Sequence, residues 1–226
     1  MKRKKRIKCF IMAGGVVLFL LFLFFVAEKI SSIEGFGGKK QTRRVYTSEE
    51  MAELLEKWKP EIDVQLLTPN AYSRPQHEIS DIKGIVIHYT ANPQSTALQN
   101  RNYFEGLKES KATMASSHFI VGIEGEIVQC IPTWEMSYAS NQRNSDTIAI
   151  EVCHLDESGK FTKETYEALV DLTSWLCVKF NISEEDVIRH YDVNGKACPK
   201  YFVENEEEWD KLKQSVGSKI DEIYSE

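Results

Sequence analysis

The amino-acid sequence predicts an α/β fold in which helices flank a mixed central β-sheet. The first observation is an alternation along residues 61–226 between short apolar stretches, typical of buried strands, and longer stretches with helical spacing. The second is a glycine-containing turn that joins two apolar stretches within residues 117–132, which predicts a hairpin. The third is an ordinary composition, 42% hydrophobic and 27% charged, which is sufficient for a buried core.

Each predicted element has its own signal. The strands are short β-branched or apolar runs: KGIVIHYT (83–90), the two arms of SHFIVGIEGEIVQCIP (117–132), DTIAIEVCH (146–154) and DVIRHY (186–191). The helices have apolar residues at helical spacing and cap-forming residues: 47–60, 95–108, 161–181 and 204–224. The first helix is interpreted as either a spacer or a prelude to the domain.

The N-terminus differs in character from the rest of the chain. Residues 1–8 carry six positive charges and no acid, and residues 9–27 form a nineteen-residue stretch without a charge. A helix of this length spans roughly 30 Å, the thickness of a bilayer core, and the basic flank places its start in the cytoplasm. The sequence therefore predicts a single-pass signal anchor in the cytoplasmic membrane, with a cleaved signal peptide as the alternative.

The predicted organisation has four parts. They are a cytoplasmic basic segment (1–8), a transmembrane anchor (9–27), a stalk with a short helix (28–60) and a globular domain (61–226) outside the cytoplasmic membrane. The stalk is inferred from its content of Gly, Ser, Lys and Arg and from its lack of apolar periodicity. We expect the exported part to be monomeric.

Net charge and cysteine usage narrow the function classes. The formal net charge is −6, and omitting residues 1–8 leaves 22 basic against 34 acidic residues. Such an acidic remainder argues against nucleic-acid binding, which needs a basic surface. Beyond Cys9, the cysteines are Cys130, Cys153, Cys177 and Cys198. Apolar settings favour buried free thiols for most of them, with one disulfide as the alternative.

A candidate metal site is found in RHYDVNGKACPKY (189–201), where His190 and Cys198 stand eight residues apart. His88 lies at the end of another predicted strand, and the mouths of strands are where sites assemble in α/β sheets. Two imidazoles and one thiolate would leave the fourth tetrahedral position of Zn²⁺ for water, as in catalytic zinc sites. The alternative is that both histidines are bonded to backbone carbonyls and that Cys198 is a buried thiol.

Two charged residues are candidates for the remaining chemistry. Glu151 stands within the apolar strand TIAIEVC, where a charge is costly unless it is paired or functional, so it is a candidate general base. Lys196, two residues before Cys198, is a candidate for stabilising an oxyanion. The alternatives are a solvent-facing glutamate and an ordinary surface lysine.

Four motifs in order carry a resemblance to a known family: IVIHYTAN, SSHFIVGIEGEIVQCIP, DTIAIEVCH and RHYDVNGKACP. Together they resemble the type 2 zinc-dependent N-acetylmuramoyl-L-alanine amidases, which share a fold with animal peptidoglycan recognition proteins. The similarity covers roughly residues 61–215. It implies a mixed sheet flanked by helices, a zinc ion in a surface groove, and cleavage of peptidoglycan between N-acetylmuramic acid and L-alanine of the stem peptide.

The resemblance also implies roles for individual residues. The zinc ligands fall on His88, His190 and Cys198, the catalytic acid/base on Glu151, and the lysine before the cysteine on Lys196. A tyrosine that some members carry before the hairpin histidine is replaced by Ser117, so Glu151 has to supply the base.

Substrate contacts and the alternative functions remain open at this point. His118 and Trp134 are weaker candidates for residues that line the substrate groove, with a structural histidine and a packed tryptophan as the alternatives. One alternative function is a peptidoglycan-binding module without catalysis, although the presence of Cys198 favours an enzyme. Another is a cysteine nucleophile, which Pro199 disfavours because proline supplies no backbone N–H there.

Overall fold

A six-stranded mixed sheet lies at the centre of the residues described by the computed structural model, 45–225. Its strands are β1 (Asp63–Val64), β2 (Gly84–Ile87), β3 (Phe119–Val121), β4 (Ile127–Gln129), β5 (Thr147–Val152) and β6 (Val187–Arg189). Their order is β1-β4-β3-β5-β2-β6, and every neighbouring pair is parallel except β3 and β4. The predicted mixed sheet is confirmed, and β1 is an additional edge strand.

Six helices surround the sheet in the described part of the chain. They are α1 (Ser48–Lys57), α2 (Ala97–Ser110), α3 (Lys163–Phe180), α4 (His190–Asn194), α5 (Lys200–Glu204) and α6 (Glu206–Tyr224), with single 3-10 turns at Asn141–Arg143 and Glu184–Asp186. Threonine caps start the first three: the hydroxyls of Thr47, Thr96 and Thr162 accept backbone N–H groups. The four predicted helices are confirmed, whereas the five-residue helices α4 and α5 were not predicted.

The two faces of the sheet bury different sets of side chains. On the first face, Ile148, Ile150 and Val152 of β5 belong to a large core with apolar residues of α3 and α6. On the second face, Ile120 of β3 packs with Phe104 and other residues of α2. Because side chains alternate along a strand, neighbours of first-core residues point to the second face.

Helix α1 packs against the domain. Leu54 belongs to the first core, and the indole Nε1 of Trp175 in α3 donates to the Leu55 carbonyl at 2.9 Å. The Tyr46 hydroxyl also donates to the Tyr224 carbonyl at the end of α6, at 2.8 Å. Of the two interpretations of this helix, the contacts favour a prelude to the domain over a free spacer.

The predicted single-pass location in the cytoplasmic membrane must be corrected. Within residues 45–225, no helix combines the length and the apolar character needed to cross a bilayer. The longest two, α3 and α6, are amphipathic and carry several charged residues. The apolar segment 9–27, on which the prediction was based, lies outside the described residues. Membrane anchoring is therefore not retained.

The four cysteines of the described part form no disulfide, and all of them are buried. Cys130 and Cys153 lie in the second core, Cys177 lies in the first, and Cys198 lies beside the candidate metal site. The favoured interpretation of buried free thiols is confirmed for these residues, and the disulfide alternative is not.

The first core is expected to carry much of the stability. Leu176 of α3 is completely buried, so Leu176→Ala should lower the free energy of unfolding by about 2–5 kcal/mol. Leu98→Ala is the matched control, because Leu98 of α2 is 45% exposed and its truncation leaves no internal cavity. Urea denaturation of both variants checks this, and equal losses would contradict the assigned core.

Candidate active site

Strand pairing at the centre of the sheet brings three polar side chains together. Ile87 of β2 is aligned with both Ile150 of β5 and Arg189 of β6. The residues that follow these three are His88, Glu151 and His190. They lie side by side, and Phe104 of the second core lines the same pocket, which places the site on the second face of the sheet.

The predicted metal ligands form one cluster. The available ligand atoms of His88, His190 and Cys198 all lie within 4.8 Å of one another, and all three residues are buried. The Cys198 sulfur is 3.8 Å from Nδ1 of His88, and the two imidazole centroids are 4.7 Å apart. The turn from α4 to α5 holds the cysteine in place, since the Tyr191 N–H donates to the Cys198 carbonyl at 2.9 Å.

The cluster fits a metal ion because one ligand atom lacks a partner within residues 45–225 and the far nitrogens of both imidazoles are anchored. Nδ1 of His190 is buried without a hydrogen-bond partner. Its Nε2 contacts Asn141 Oδ1 at 2.9 Å, and Nε2 of His88 contacts Ser140 Oγ at 3.1 Å. A set of two imidazole nitrogens and one thiol sulfur, with the far ring nitrogens held by polar groups, is typical of zinc sites.

The protonation equilibria also suit a metal site. Burial, followed by the neighbouring His190 and Lys196, lowers the pKa of His88 well below its usual value, and burial and Lys196 lower that of His190. Both imidazoles are therefore neutral at pH 7, the form that binds metals. Burial, helped by the charge of Glu151, raises the pKa of the Cys198 thiol to about 12. This disfavours the cysteine-nucleophile hypothesis, which needs a lowered pKa.

Glu151 is the carboxylate of the site. The residue is half-buried, but its Oε2 atom is enclosed and has no hydrogen-bond partner. Burial raises the pKa of this carboxyl to about 8, against the opposing effect of the Lys196 charge. The predicted pair of Glu151 and Lys196 is thus brought to the metal ligands, with Lys196 on the exposed rim.

The pocket in front of these residues has a volume of about 420 Å³. Its walls come from α2, from the segment before β3, and from the loop between β4 and β5. Residues from these three walls are Phe104, Met114, Ser116, Tyr138, Ala139 and Asn144. The pocket is open to solvent and holds His88, Glu151, His190 and Lys196 along one side.

His118 and Trp134, the weaker candidates for groove residues, do not line this pocket. His118 is fully buried: its Nδ1 accepts the Ala149 N–H at 3.0 Å and its Nε2 donates to the Glu135 carbonyl at 2.8 Å. Trp134 is 63% exposed, but it lies beside Phe119 and Trp175, which belong to the core on the first face.

Sequence reasoning missed the residues that hold the imidazoles. Ser140 and Asn141 lie in the loop between β4 and β5, and Asn194 closes α4. The amide of Asn194 donates to Asn141 Oδ1 at 2.8 Å. Short polar loops carry no periodic pattern, so nothing in the sequence distinguished these residues from their neighbours.

Arg189, directly before His190, points to the opposite face of the sheet. Its guanidinium donates to Glu206 at 2.6 Å, to Asp192 at 2.8 Å and to the Phe202 carbonyl at 3.0 Å. These bonds raise the pKa of Arg189 and tie the end of β6 to α5 and α6.

The fold and the site define an α/β domain with a candidate metal centre beside a carboxylate. Residues 78–201 match the family model described as N-acetylmuramoyl-L-alanine amidase. Because the match covers more than half of the chain, the protein belongs to this amidase family. The resemblance read from the sequence motifs is confirmed at this level.

Curated relatives and solved structures agree with this assignment. The chain is 31% identical over 162 residues to the amidase CwlL of Bacillus licheniformis, covering 66% of this chain and 44% of the relative. It is 32% identical over 172 residues to the amidase BlyA of Bacillus subtilis (strain 168), covering 67% and 45%. The chain thus spans less than half the length of these relatives. The structure of PlyL matches with a TM-score of 0.60 and 26% identity, over 70% of this chain and 97% of that one.

The raised pKa of Glu151 predicts a pH-dependent effect on stability. Between the usual carboxyl pKa of 4.5 and about 8, the unfolded chain loses this proton while the folded metal-free protein keeps it, so rising pH destabilises the fold. In the presence of a chelator, Glu151→Gln should therefore be more stable than wild type at pH 8–9 and equally stable near pH 4. Thermal unfolding at both pH values measures this.

Glu167→Gln is the matched control, because its carboxylate on α3 is 59% exposed and its removal involves no burial of charge. If Glu151→Gln were less stable than wild type by the same amount at both pH values, the wild-type carboxyl would not be one that is enclosed and retains its proton.

Proposed function

We propose that this protein is a zinc-dependent hydrolase that cleaves the amide between N-acetylmuramic acid and L-alanine in peptidoglycan. The observation that carries the proposal is a cluster of three buried side chains that could hold a metal ion, next to an open pocket lined by two of them and by Glu151. The Oε2 atom of Glu151 is enclosed and has no hydrogen-bond partner among residues 45–225. Membership of the amidase family and relatives named N-acetylmuramoyl-L-alanine amidases support the substrate class. We assign this activity to residues 61–226, as the sequence predicts.

The metal would be held by His88, His190 and Cys198. When bound, a zinc ion supplies a Lewis acid that polarises the amide carbonyl and makes water a better nucleophile. The neutral imidazoles are ready for this role, whereas the Cys198 thiol has to lose its proton. The backbone N–H of Tyr89, which bonds to this sulfur and lowers its pKa, favours the thiolate.

Glu151 would act first as the general base and then as the general acid. Its carboxylate accepts a proton from the attacking water and returns it to the nitrogen of the departing L-alanine. Burial raises the pKa of this carboxyl to about 8 in the metal-free protein, and a bound divalent cation would favour its ionised form, which is the form that accepts a proton. The enclosed Oε2 atom has no hydrogen-bond partner among residues 45–225, so its lone pairs can bind the proton.

Lys196 would bind the developing negative charge. Its ammonium group lines the pocket, and its charge acts on His88, His190 and Glu151. A cation at this position stabilises the oxyanion of a tetrahedral intermediate more than it stabilises the neutral substrate amide.

The role of Glu151 predicts that Glu151→Gln retains zinc and loses hydrolysis. Because glutamine cannot accept a proton, kcat should fall by about 10²–10⁴-fold. Release of free L-alanyl amino groups from purified peptidoglycan, together with the zinc content of the protein, measures both effects. Glu167→Gln, remote from the pocket, should keep full activity. Undiminished activity of Glu151→Gln would move the base to another residue.

The metal proposal predicts that a chelator abolishes activity and that added Zn²⁺ restores it. Cys198→Ser should weaken zinc binding and activity together, since a hydroxyl is a poor replacement for a thiolate ligand. Cys177→Ser tests a buried cysteine far from the site and should bind zinc as wild type does. Zinc-loaded wild type that releases no muramoyl or L-alanyl ends would support the peptidoglycan-binding module instead.

A further inference from the structure

The loop between β4 and β5 contacts both candidate histidine ligands from outside the metal position. Ser140 Oγ lies 3.1 Å from Nε2 of His88, and Asn141 Oδ1 lies 2.9 Å from Nε2 of His190. Nδ1 of His88 lies 3.8 Å from the Cys198 sulfur, and Nδ1 of His190 is buried without a hydrogen-bond partner among residues 45–225, so we take Nδ1 as the ligand atom of each ring. Which nitrogen carries the hydrogen decides whether such a ring can bind a metal, because a protonated nitrogen offers no lone pair.

A chain of hydrogen bonds indicates which ring nitrogen of His190 carries the hydrogen. It starts at a backbone N–H, whose direction is unambiguous: the Lys196 N–H donates to Asn194 Oδ1 at 3.0 Å. The amide nitrogen of Asn194 therefore faces Asn141 and donates to Asn141 Oδ1 at 2.8 Å. This oxygen only accepts, so at 2.9 Å it binds a hydrogen carried by Nε2 of His190. The amide nitrogen of Asn194 also lies 3.2 Å from this Nε2, but its bond to Asn141 Oδ1 is shorter, so we assign the Asn194 hydrogen to Asn141 and the Nε2 hydrogen to His190.

We propose that Asn141 is a positioning residue that fixes His190 in the Nε2–H tautomer and so presents the Nδ1 lone pair to the metal. The inference rests on the proposed zinc site. It explains why Nδ1 of His190 is buried without a hydrogen-bond partner within the described protein. The opposite tautomer would set the Nε2 lone pair against the Asn141 oxygen at 2.9 Å, keep only the longer 3.2 Å contact with the Asn194 amide, and leave a buried N–H pointing at the other ligands.

The backbone of the loop supports this role. Asn141 has a φ of 52°, in the left-handed region that non-glycine residues rarely adopt. Asn144 holds this conformation, since its Oδ1 accepts the N–H groups of Ala139 and Ser140 at 3.1 and 2.6 Å. Gln142 ties the loop to α4 by donating to the Val193 carbonyl at 2.9 Å. The strained residue is thus the one whose side chain reaches the imidazole.

Three substitutions in the full 226-residue chain test the proposal. Asn141→Gly removes the amide and tolerates the positive φ, so it should fold without added strain. Asn141→Asp keeps an acceptor at the same place and makes the ring a stronger ligand. Gln142→Ala is the matched control, because it removes a loop contact that does not involve an imidazole.

Zinc affinity, measured by competition with a chelating dye, is the first readout. We expect Asn141→Gly to bind zinc about 10–100-fold more weakly than wild type, and Asn141→Asp to bind it at least as tightly as wild type. Gln142→Ala should match wild type. Affinities of wild type and Asn141→Gly that agree within about threefold would overturn the proposal.

The second readout is the tautomer itself, observed by ¹⁵N NMR of the histidine rings in the metal-free protein. Wild type should show His190 with its hydrogen on Nε2, and Asn141→Gly should show a mixture. An unchanged tautomer in Asn141→Gly would also overturn the proposal. A wild type that binds no zinc would refute the proposed function, whereas the NMR comparison would still decide the role of Asn141.

Discussion

The site depends on the parallel pairing of β2 with β5 on one side and with β6 on the other. One residue, Ile87, sets the alignment of both neighbours. The side chains that follow the aligned residues share one face of the sheet, which brings an imidazole, a carboxyl and a second imidazole together. A shift of one residue in either pair would send its functional side chain into the opposite core. The hydrophobic side chains of the first core thereby fix the positions of the polar ones.

The candidate site balances two opposing electrostatic effects. Burial favours the neutral forms of His88, Glu151 and Cys198. Lys196 is the cation of the described pocket, and it favours the ionised carboxyl of Glu151 while disfavouring protonated imidazoles. A divalent cation would act on these groups in the same sense as Lys196 and more strongly. In the metal-free protein, burial thus favours the neutral forms of the Glu151 carboxyl and the Cys198 thiol, whereas the proposed reaction would need both groups ionised.

Periodicity and residue type predicted the parts of this structure that regular patterns encode. The apolar run within TIAIEVC predicted β5 and made the charged Glu151 conspicuous, and the spacing of His190 and Cys198 indicated a pair of metal ligands. The place of Trp134 could not be predicted, because a loop residue has no alternation that fixes its face of the sheet. Asn141 could not be predicted, since its role depends on a long-range hydrogen bond and an unusual φ.

Arg189 connects the strand that precedes the candidate metal site to the C-terminal helix α6. Its side chain joins the end of β6 to the start of α6. The next residue, His190, lies on the opposite face of the sheet and belongs to the candidate metal cluster. Binding of a metal and docking of the C-terminal helix therefore act on the same short segment of backbone. We therefore expect metal binding at the proposed site and docking of the C-terminal helix to stabilise each other, although the helix contributes no ligand.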